Sequence, residues 1–271
     1  MPYSPGPTMP QALIDLALAE DIGSGDVTSL YFIPESRKAR AFVAVRKAGV
    51  LSGVTIAAQV FSTVDPTLDV EVLVQDGSKV AEGALVIRVE GSARPILTAE
   101  RTALNFLQRP SGVATATAKY VEAIKGTRAR ILDTRKTTPG FRTLEKKAVL
   151  NGGGTNHRIG LYDRAMVEDN HLVAEGGPAA IQTAIYKLRN ERPGVEVELE
   201  ADNLDQVRTF LELDGVDHIL LDNMTLEELR EAVELRGDDS KPLLEASGGV
   251  TMQTIREIAE TGVEFISVGA L

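Results

Sequence analysis

The cationic residues of this chain are concentrated in one segment, 128–158. Eight Lys or Arg residues lie there against two acids, although the whole protein carries a net charge of −10 at pH 7. The segment also contains Gly152-Gly153-Gly154, and small residues let backbone N–H groups approach a ligand closely. This pattern indicates a site for a small, multiply charged anion. The cations are Arg128, Arg130, Arg135, Lys136, Arg142, Lys146, Lys147 and Arg158.

Two acids, Glu200 and Asp222, offer a different chemistry. Each comes at the end of an apolar run, 195–199 and 218–221. Carboxylate oxygens hold Mg2+, and waters and a substrate diphosphate can complete its shell. Any single Asp or Glu among the 39 in the chain would be interpreted as a solvated strand-end acid. The pair, on neighbouring strands, instead indicates chemistry on a phosphate ester.

Two glycine-containing turns, Ser247-Gly248-Gly249 and Ser267-Val268-Gly269, follow the last two apolar runs. Loops after the late strands of an α/β barrel commonly bind phosphate through backbone N–H groups. A single Ser-Gly-Gly would indicate only a tight turn, but two on consecutive late strands favour phosphate binding. His157, next to Arg158, is expected either to be a neutral hydrogen-bonding residue or to be part of the anion site.

Composition excludes several function classes. The chain has no Cys, which rules out disulfides, thiolate metal sites and cysteine nucleophiles. No pair of His residues has the spacing of a zinc motif. No apolar run approaches the ~18 residues of a membrane span, and no secretory leader is visible, so we expect a cytoplasmic protein without a membrane partner. The acidic remainder of the chain argues against nucleic-acid binding.

The elements that must position these residues change character near residue 98. Before it, a helix at 11–20 and strands at 39–46, 69–75 and 84–89 predict an α+β domain. After it, helical and strand-like segments alternate, which is typical of parallel strands with crossover helices. Helices are predicted at 98–109, 112–125 (capped by Ser111), 144–150, 178–190, 203–213, 225–235 and 251–261, and strands at 129–132, 165–167, 195–199, 218–221, 243–246 and 265–268.

Six or seven such units predict an α/β barrel, complete or slightly short of eight strands. We expect domains at 1–110 and 111–271. In barrels, the carboxyl ends of the strands and the loops after them form the active site. The cationic, acidic and glycine motifs all follow strand ends, so one barrel mouth is predicted to gather them.

The chain contains five long ordered motifs: 100–105 (ERTALN), 131–140 (ILDTRKTTPG), 152–158 (GGGTNHR), 220–224 (LLDNM) and 247–250 (SGGV). They resemble those of the quinolinate phosphoribosyltransferase family, also called carboxylating nicotinate-nucleotide pyrophosphorylases. The resemblance covers essentially the whole chain from Glu20 onward. It implies the type II phosphoribosyltransferase fold, with an α+β N-terminal domain and an incomplete seven-stranded α/β barrel.

The resemblance also implies a reaction, in which quinolinate and phosphoribosyl pyrophosphate give nicotinate mononucleotide, CO2 and pyrophosphate with Mg2+, in NAD biosynthesis. It implies a homodimer, or a larger assembly, whose active site is shared between subunits. Motif by motif, the quinolinate carboxylates would be held by Arg101 (from the neighbouring subunit), Arg135, His157 and Arg158. The residues for catalysis and for binding phosphoribosyl pyrophosphate would be Lys136, Glu200, Asp222, Ser247, Gly248, Gly249, Ser267 and Gly269. Glu200 and Asp222 would also hold the metal.

One position departs from the family pattern. The family has a lysine where this chain has Glu168, and a Glu reverses the charge at a site for a dianion. Arg164 lies four residues earlier, on the same strand face by period-two counting. We therefore expect either that Arg164 substitutes for the lysine in the substrate site or that Glu168 points elsewhere.

Three alternatives stay open. A relative with a different acceptor, like the molybdenum-operon members of this family, would keep Lys136, Glu200 and Asp222 but change the carboxylate clamp, and Glu168 favours it. Nicotinate phosphoribosyltransferase has one carboxylate to bind, which fits a clamp of three Arg residues less well. A non-catalytic ligand-binding or regulatory barrel belongs to a different class. The carboxylating enzyme should bind quinolinate, whereas the relative with a different acceptor should not. A non-catalytic barrel should release no CO2 from quinolinate.

Overall fold

The computed structural model of the chain describes residues 9–168, 177–238 and 241–271. They divide into two compact units. The first unit comprises the residues up to Ala118 together with Thr138–Gly153. The second unit comprises Lys119–Thr137 together with Gly154–Leu271. The domain limits 1–110 and 111–271 stay a prediction. Within the described part of the chain, no helix is both long enough and apolar enough to cross a membrane.

The first unit combines helices with antiparallel strands. A three-stranded sheet has the order β1-β5-β3, and β2 pairs with β4. Its core joins the central strand β5 to helix α3, which confirms the predicted α+β character of this half. The elements are α1 (Met9–Ile22), α2 (Val27–Phe32), β1 (Lys38–Ala44), β2 (Gly49–Val50), α3 (Val54–Val64), β3 (Asp69–Val72), β4 (Lys79–Val80), β5 (Leu85–Ser92), α4 (Ala93–Ala123) and α5 (Arg142–Asn151). The last residues of α4, from Lys119, belong to the second unit.

The predicted helix break at Ser111 is wrong, because α4 continues through Pro110. Proline has no N–H to donate to the carbonyl four residues earlier, that of Phe106. This carbonyl lies against Gly53, where a Cβ atom would be 2.2 Å from the Phe106 oxygen. The Ser111 hydroxyl does not cap a helix but donates to the Ser52 carbonyl at 3.1 Å and accepts from its N–H at 3.0 Å. Contacts between distant segments thus override the local signal.

The second unit is built on a parallel sheet. Six strands have the order β6-β11-β10-β9-β8-β7, and Thr155 makes a further parallel bridge to Leu132 of β6. These seven parallel segments match the predicted incomplete barrel. The elements are β6 (Arg130–Leu132), β7 (Arg164–Val167), α6 (Pro178–Glu191), β8 (Glu196–Ala201), α7 (Leu204–Leu211), β9 (His218–Asp222), α8 (Leu226–Arg236), β10 (Leu243–Ser247), α9 (Ile255–Ala259) and β11 (Phe265–Ser267).

Burial and capping fix the carboxyl ends of these strands. Leu199, Ile219 and Leu244 are fully buried, as expected for parallel strands covered on both faces. Helix α7 begins after Asn203, whose side chain accepts from the backbone of its first turn. Helix α8 begins with a reciprocal capping box at Thr225. The loops after β8 and β9 therefore leave the sheet at defined residues.

Candidate active site

A cavity of about 800 Å³ lies at the carboxyl ends of the parallel strands in the second unit. This volume is within the range of small-molecule sites. Among the described residues, the cavity gathers every predicted site residue except Arg101 and Arg164. Its lining is Asp133, Thr134, Arg135, Lys136, His157, Arg158, Met166, Glu168, Glu200, Leu220, Asp222, Asn223, Glu245, Ser247, Gly248, Gly249, Val250, Ser267, Gly269 and Ala270.

Cations from two loops line the cavity. Arg135 and Lys136 follow β6, and Arg158 follows the Thr155 bridge. Burial and the neighbouring charge of Arg135 lower the pKa of the Arg158 guanidinium, yet an arginine remains charged in proteins. Burying a charge is unfavourable unless an opposite charge accompanies it. The Arg158 side chain is 7% exposed, and its planar guanidinium suits a carboxylate bound through two parallel hydrogen bonds.

Glu168 lies in this cavity and not elsewhere. Its side chain is 38% exposed, and Oε1 is 3.5 Å from Nη2 of Arg158. The negative charge therefore lies beside the cation that would bind an anionic acceptor. This arrangement partly offsets the positive potential of the cavity.

The structure contradicts the expectation that Arg164 substitutes for the family lysine. Its guanidinium donates to Glu196 at 2.7 Å and lies 3.5 Å from Glu198, and it is not among the cavity-lining residues. Side-chain alternation correctly predicts that Arg164 shares a strand face with Met166 and Glu168. However, four residues of strand span about 13 Å, so Arg164 lies well down the strand from Glu168.

A group of carboxylates occupies the ends of β8 and β9. One oxygen from each of Glu200, Asp202 and Asp222 lies within 4.8 Å of the others. Asp202 was not predicted from the sequence, although it directly follows β8 and lies two residues after Glu200, where side-chain alternation predicts the same face. Two of the three residues, Glu200 and Asp222, line the cavity. Three carboxylate oxygens close together suit a hard cation that keeps several waters, so the donor set fits Mg2+.

The glycine turns come close to these groups. Gly248 has φ +91°, and a Cβ atom there would lie 2.1 Å from Oδ1 of Asn223. The Asn223 amide in turn donates to Oδ2 of Asp222 at 2.6 Å. On the next turn, the position of a Cβ on Gly269 is 3.8 Å from Cδ of Lys136. The turns after β10 and β11 therefore adjoin both the acidic and the cationic side of the cavity.

A buried polar network adjoins the cavity, and two of its members, His157 and Glu245, line it. Glu198 and Glu245 are fully buried, and Nε2 of His157 is 3.0 Å from Oε2 of Glu198 and 3.5 Å from Oε2 of Glu245. Burial, then the nearby charge of Glu198, raise the pKa of Glu245 well above its ordinary value. Burial also acts to raise the pKa of Glu198, but the interactions with His157, first its hydrogen bond, and then the charge of Arg164 outweigh burial and lower that pKa.

A proton on Glu245 also explains two buried atoms. Oε1 of Glu198 and Oε2 of Glu245 have no hydrogen-bond donor within the described parts of the chain, and a protonated Glu245 can donate one hydrogen between two such carboxyl groups. From the sequence, both acids lie at strand ends that face the predicted barrel mouth, but no role was predicted for either of them. An acid inside an apolar strand run was the available signal, since such an acid is buried only when it is paired.

Arg101 lies on α4 in the first unit and is exposed. Its assignment to the quinolinate site of a neighbouring subunit stays a prediction.

Two family models cover most of the chain. Residues 26–111 match the N-terminal domain of quinolinate phosphoribosyl transferase, and residues 113–271 match its C-terminal domain. A chloroplastic nicotinate-nucleotide pyrophosphorylase (carboxylating) of Oryza sativa is 43% identical, with 96% of this chain and 74% of the relative covered. A probable enzyme of the same name from Synechocystis is 41% identical, with 93% and 85% covered.

Solved structures agree with these relatives. The nicotinate-nucleotide pyrophosphorylase of Francisella tularensis superposes with a TM-score of 0.90 at 40% identity, over 97% of this chain and 91% of that chain. A NadC structure from Streptococcus pyogenes gives a TM-score of 0.88 at 37% identity, over 98% and 93%. The chain therefore belongs to the quinolinate phosphoribosyltransferase family.

Proposed function

We propose that the cavity of the second unit transfers the phosphoribosyl group of phosphoribosyl pyrophosphate to quinolinate, giving nicotinate mononucleotide, CO2 and pyrophosphate. The proposal rests on one observation: the cations Arg135, Lys136 and Arg158 line the same cavity as the acids Glu200 and Asp222. Cations there suit an aromatic dianion and a polyphosphate, whereas carboxylates suit a metal and a positively charged transition state. Both sets are needed for this reaction.

The chemistry requires positioning more than covalent participation by the protein. Arginine forks hold the two carboxylates of the pyridine ring, so that its nitrogen attacks the anomeric carbon in line as the bond to pyrophosphate breaks. Positive charge develops on the ribose, and Glu200 and Asp222 stabilise it. Once the ring nitrogen is quaternary, the adjacent carboxylate leaves as CO2 and its electron pair stays on the ring carbon, which takes a proton.

Metal binding is part of the proposal. Glu200, Asp202 and Asp222 would hold Mg2+, which supplies charge neutralisation for the leaving pyrophosphate. We expect activity to disappear with EDTA and to return with Mg2+. Asp202→Asn should raise the Mg2+ concentration for half-maximal activity several-fold, as measured by metal titration of the rate. Asp205→Asn, at an exposed acid on α7, is the control and should leave the titration unchanged. An unaltered titration with Asp202→Asn would remove this residue from the metal site.

The turn after β10 gives a second expected result. Gly248→Ala should strongly raise the KM for phosphoribosyl pyrophosphate, because the new Cβ would meet the Asn223 side chain at 2.1 Å and disturb its hydrogen bond to Asp222. Gly249→Ala is the matched control. It has φ +57° and nothing within 4 Å of its Cβ position, so its effect on steady-state kinetics should be much smaller. Equal effects of the two substitutions would exclude the close approach as the cause.

A shared active site is proposed as well, because Arg101 matches the family motif that reaches a neighbouring barrel. Mixing Arg101→Ala subunits with Lys136→Ala subunits should restore part of the activity, since a mixed dimer contains one intact site. Size-exclusion chromatography with light scattering should show at least a dimer. Failure of complementation after demonstrated subunit exchange would contradict the shared site.

A cytoplasmic location stays a prediction, and some plant relatives are named as chloroplastic or mitochondrial.

A second candidate function is transfer to a different acceptor, and Glu168 beside Arg158 favours it. Product analysis and a binding measurement distinguish the two candidate functions. Purified protein is incubated with phosphoribosyl pyrophosphate, Mg2+ and either quinolinate or nicotinate, and products are resolved by chromatography. The proposed function predicts nicotinate mononucleotide from quinolinate and little or none from nicotinate. Binding of phosphoribosyl pyrophosphate without binding of quinolinate, measured by calorimetry, would support the different acceptor instead.

A further inference from the structure

Protein groups occupy both ring nitrogens of His157. Nδ1 accepts the backbone N–H of Arg158 at 2.7 Å, so Nδ1 carries no hydrogen and Nε2 does. That Nε2–H faces Glu198 at 3.0 Å and Glu245 at 3.5 Å. The residue is 7% exposed. A neutral imidazole held in this way has no N–H left for a substrate carboxylate.

The same residue connects several strands to the loop that carries Arg158. The backbone N–H of His157 donates to Oδ1 of Asp133, which follows β6, at 2.8 Å. Its ring reaches Glu198 on β8 and Glu245 on β10, and the Ser267 hydroxyl at the end of β11 donates to Glu245. The loop is therefore tied across the interior of the second unit.

We propose that His157 is a positioning residue for Arg158 and not a ligand of the substrate. Glu198 lies at hydrogen-bond distance from Nε2 of the imidazole, and Nδ1 accepts the backbone N–H of Arg158, which directs the guanidinium into the cavity. The inference rests on the proposed function of this site and changes the role that the family resemblance implies for His157. A displacement of even 1 Å in a substrate-holding group can cost about a hundredfold in rate.

A metal ion is a poorer occupant for this cluster. His157, Glu198 and Glu245 do offer one ligand atom each within 4.8 Å of one another. However, Nη1 of Arg164 lies 3.5 Å from the Glu198 oxygen that faces His157. The guanidinium charge opposes a second cation at that point, whereas it is compatible with a hydrogen bond from a neutral imidazole.

A double-mutant cycle distinguishes positioning from direct binding. Alone, His157→Ala should raise the quinolinate KM roughly tenfold, with little change in the KM for phosphoribosyl pyrophosphate. In an Arg158→Ala background, the same substitution should add less than about twofold, because its effect passes through Arg158. His157→Asn should recover much of the loss, since its amide oxygen can accept the Arg158 N–H. Multiplicative effects in the double mutant, or no recovery with Asn, would overturn the proposal.

Two further measurements keep the test independent of folding and of the proposed function. Glu198→Gln removes the carboxylate that faces Nε2 of His157 at 3.0 Å, and it should likewise raise the quinolinate KM in the wild-type background but not in Arg158→Ala. Hydrogen exchange of the Arg158 amide in the free protein should be slow in the wild type and in His157→Asn but fast in His157→Ala. Unchanged exchange would refute the positioning role, whereas a wild type inactive on quinolinate would refute only the proposed function.

Discussion

Arg158→Ala is expected to raise the KM for quinolinate far more than the KM for phosphoribosyl pyrophosphate, and Arg135→Ala should behave in the same way. Arg158 is largely desolvated, so removing it leaves a substrate carboxylate without its charged partner. Truncating one member of such a pair costs about 2–5 kcal/mol, which is roughly a 30-fold to several-thousand-fold loss of apparent affinity. Initial-rate kinetics with each substrate varied in turn measure both effects.

Arg208→Ala serves as the control for this prediction. Arg208 lies on α7 outside the cavity lining, is 46% exposed and forms ion pairs with Asp205 and Glu231. Its removal should leave both KM values unchanged. If the cavity substitutions instead raised both KM values equally, the basic segment would be a general anion-attracting surface and not a specific clamp for quinolinate.

Glu168→Lys is expected to tighten quinolinate binding tenfold or more. A carboxylate within a few ångströms of a bound dianion repels it by roughly 1–4 kcal/mol at an effective dielectric typical of partly exposed sites. Lys removes that repulsion and releases Arg158 from its contact with Glu168. Glu168→Gln keeps the size but not the charge, so its affinity, measured by calorimetry, should lie between those of wild type and Glu168→Lys.

The same variants test the alternative acceptor. If Glu168 recognises a cationic or hydrogen-bond-donating group of another acceptor, Glu168→Lys should abolish turnover of that acceptor and create or improve activity with quinolinate. Equal quinolinate affinities for wild type, Gln and Lys would mean that the bound substrate does not contact this position.

Much of the second unit could be predicted from local patterns. Short apolar runs separated by capped helices specify parallel strands, and every residue placed after such a run lies at the same edge of the sheet. This is why Lys136, Glu200 and Asp222 were identified together and why the structure brings them into one cavity. The connectivity of an α/β barrel makes position in the sequence informative about position in space.

The predictions were wrong where periodicity specifies the face on which a side chain lies but not its position along the strand or its interaction partner. Arg164 shares a strand face with Glu168 yet lies farther down the strand, on Glu196. The helix through Pro110 depends on a close approach by Gly53, which is distant in sequence. No local pattern predicts such contacts between segments far apart in the chain.

The buried acids show the same limit. Glu198 and Glu245 come from different strands and share His157, which comes from a loop before both of them. Each acid looks unfavourable within its own apolar run, and only the folded chain supplies the partner that makes its burial acceptable.

Release of labelled CO2 from quinolinate carrying 14C in the carboxyl group next to the ring nitrogen is the most direct test of the proposed reaction. We expect CO2 and pyrophosphate in equal amounts, both dependent on phosphoribosyl pyrophosphate and Mg2+, and both largely lost in Lys136→Ala. No labelled CO2 from folded wild-type protein with all components present, or CO2 release without phosphoribosyl pyrophosphate, would contradict it.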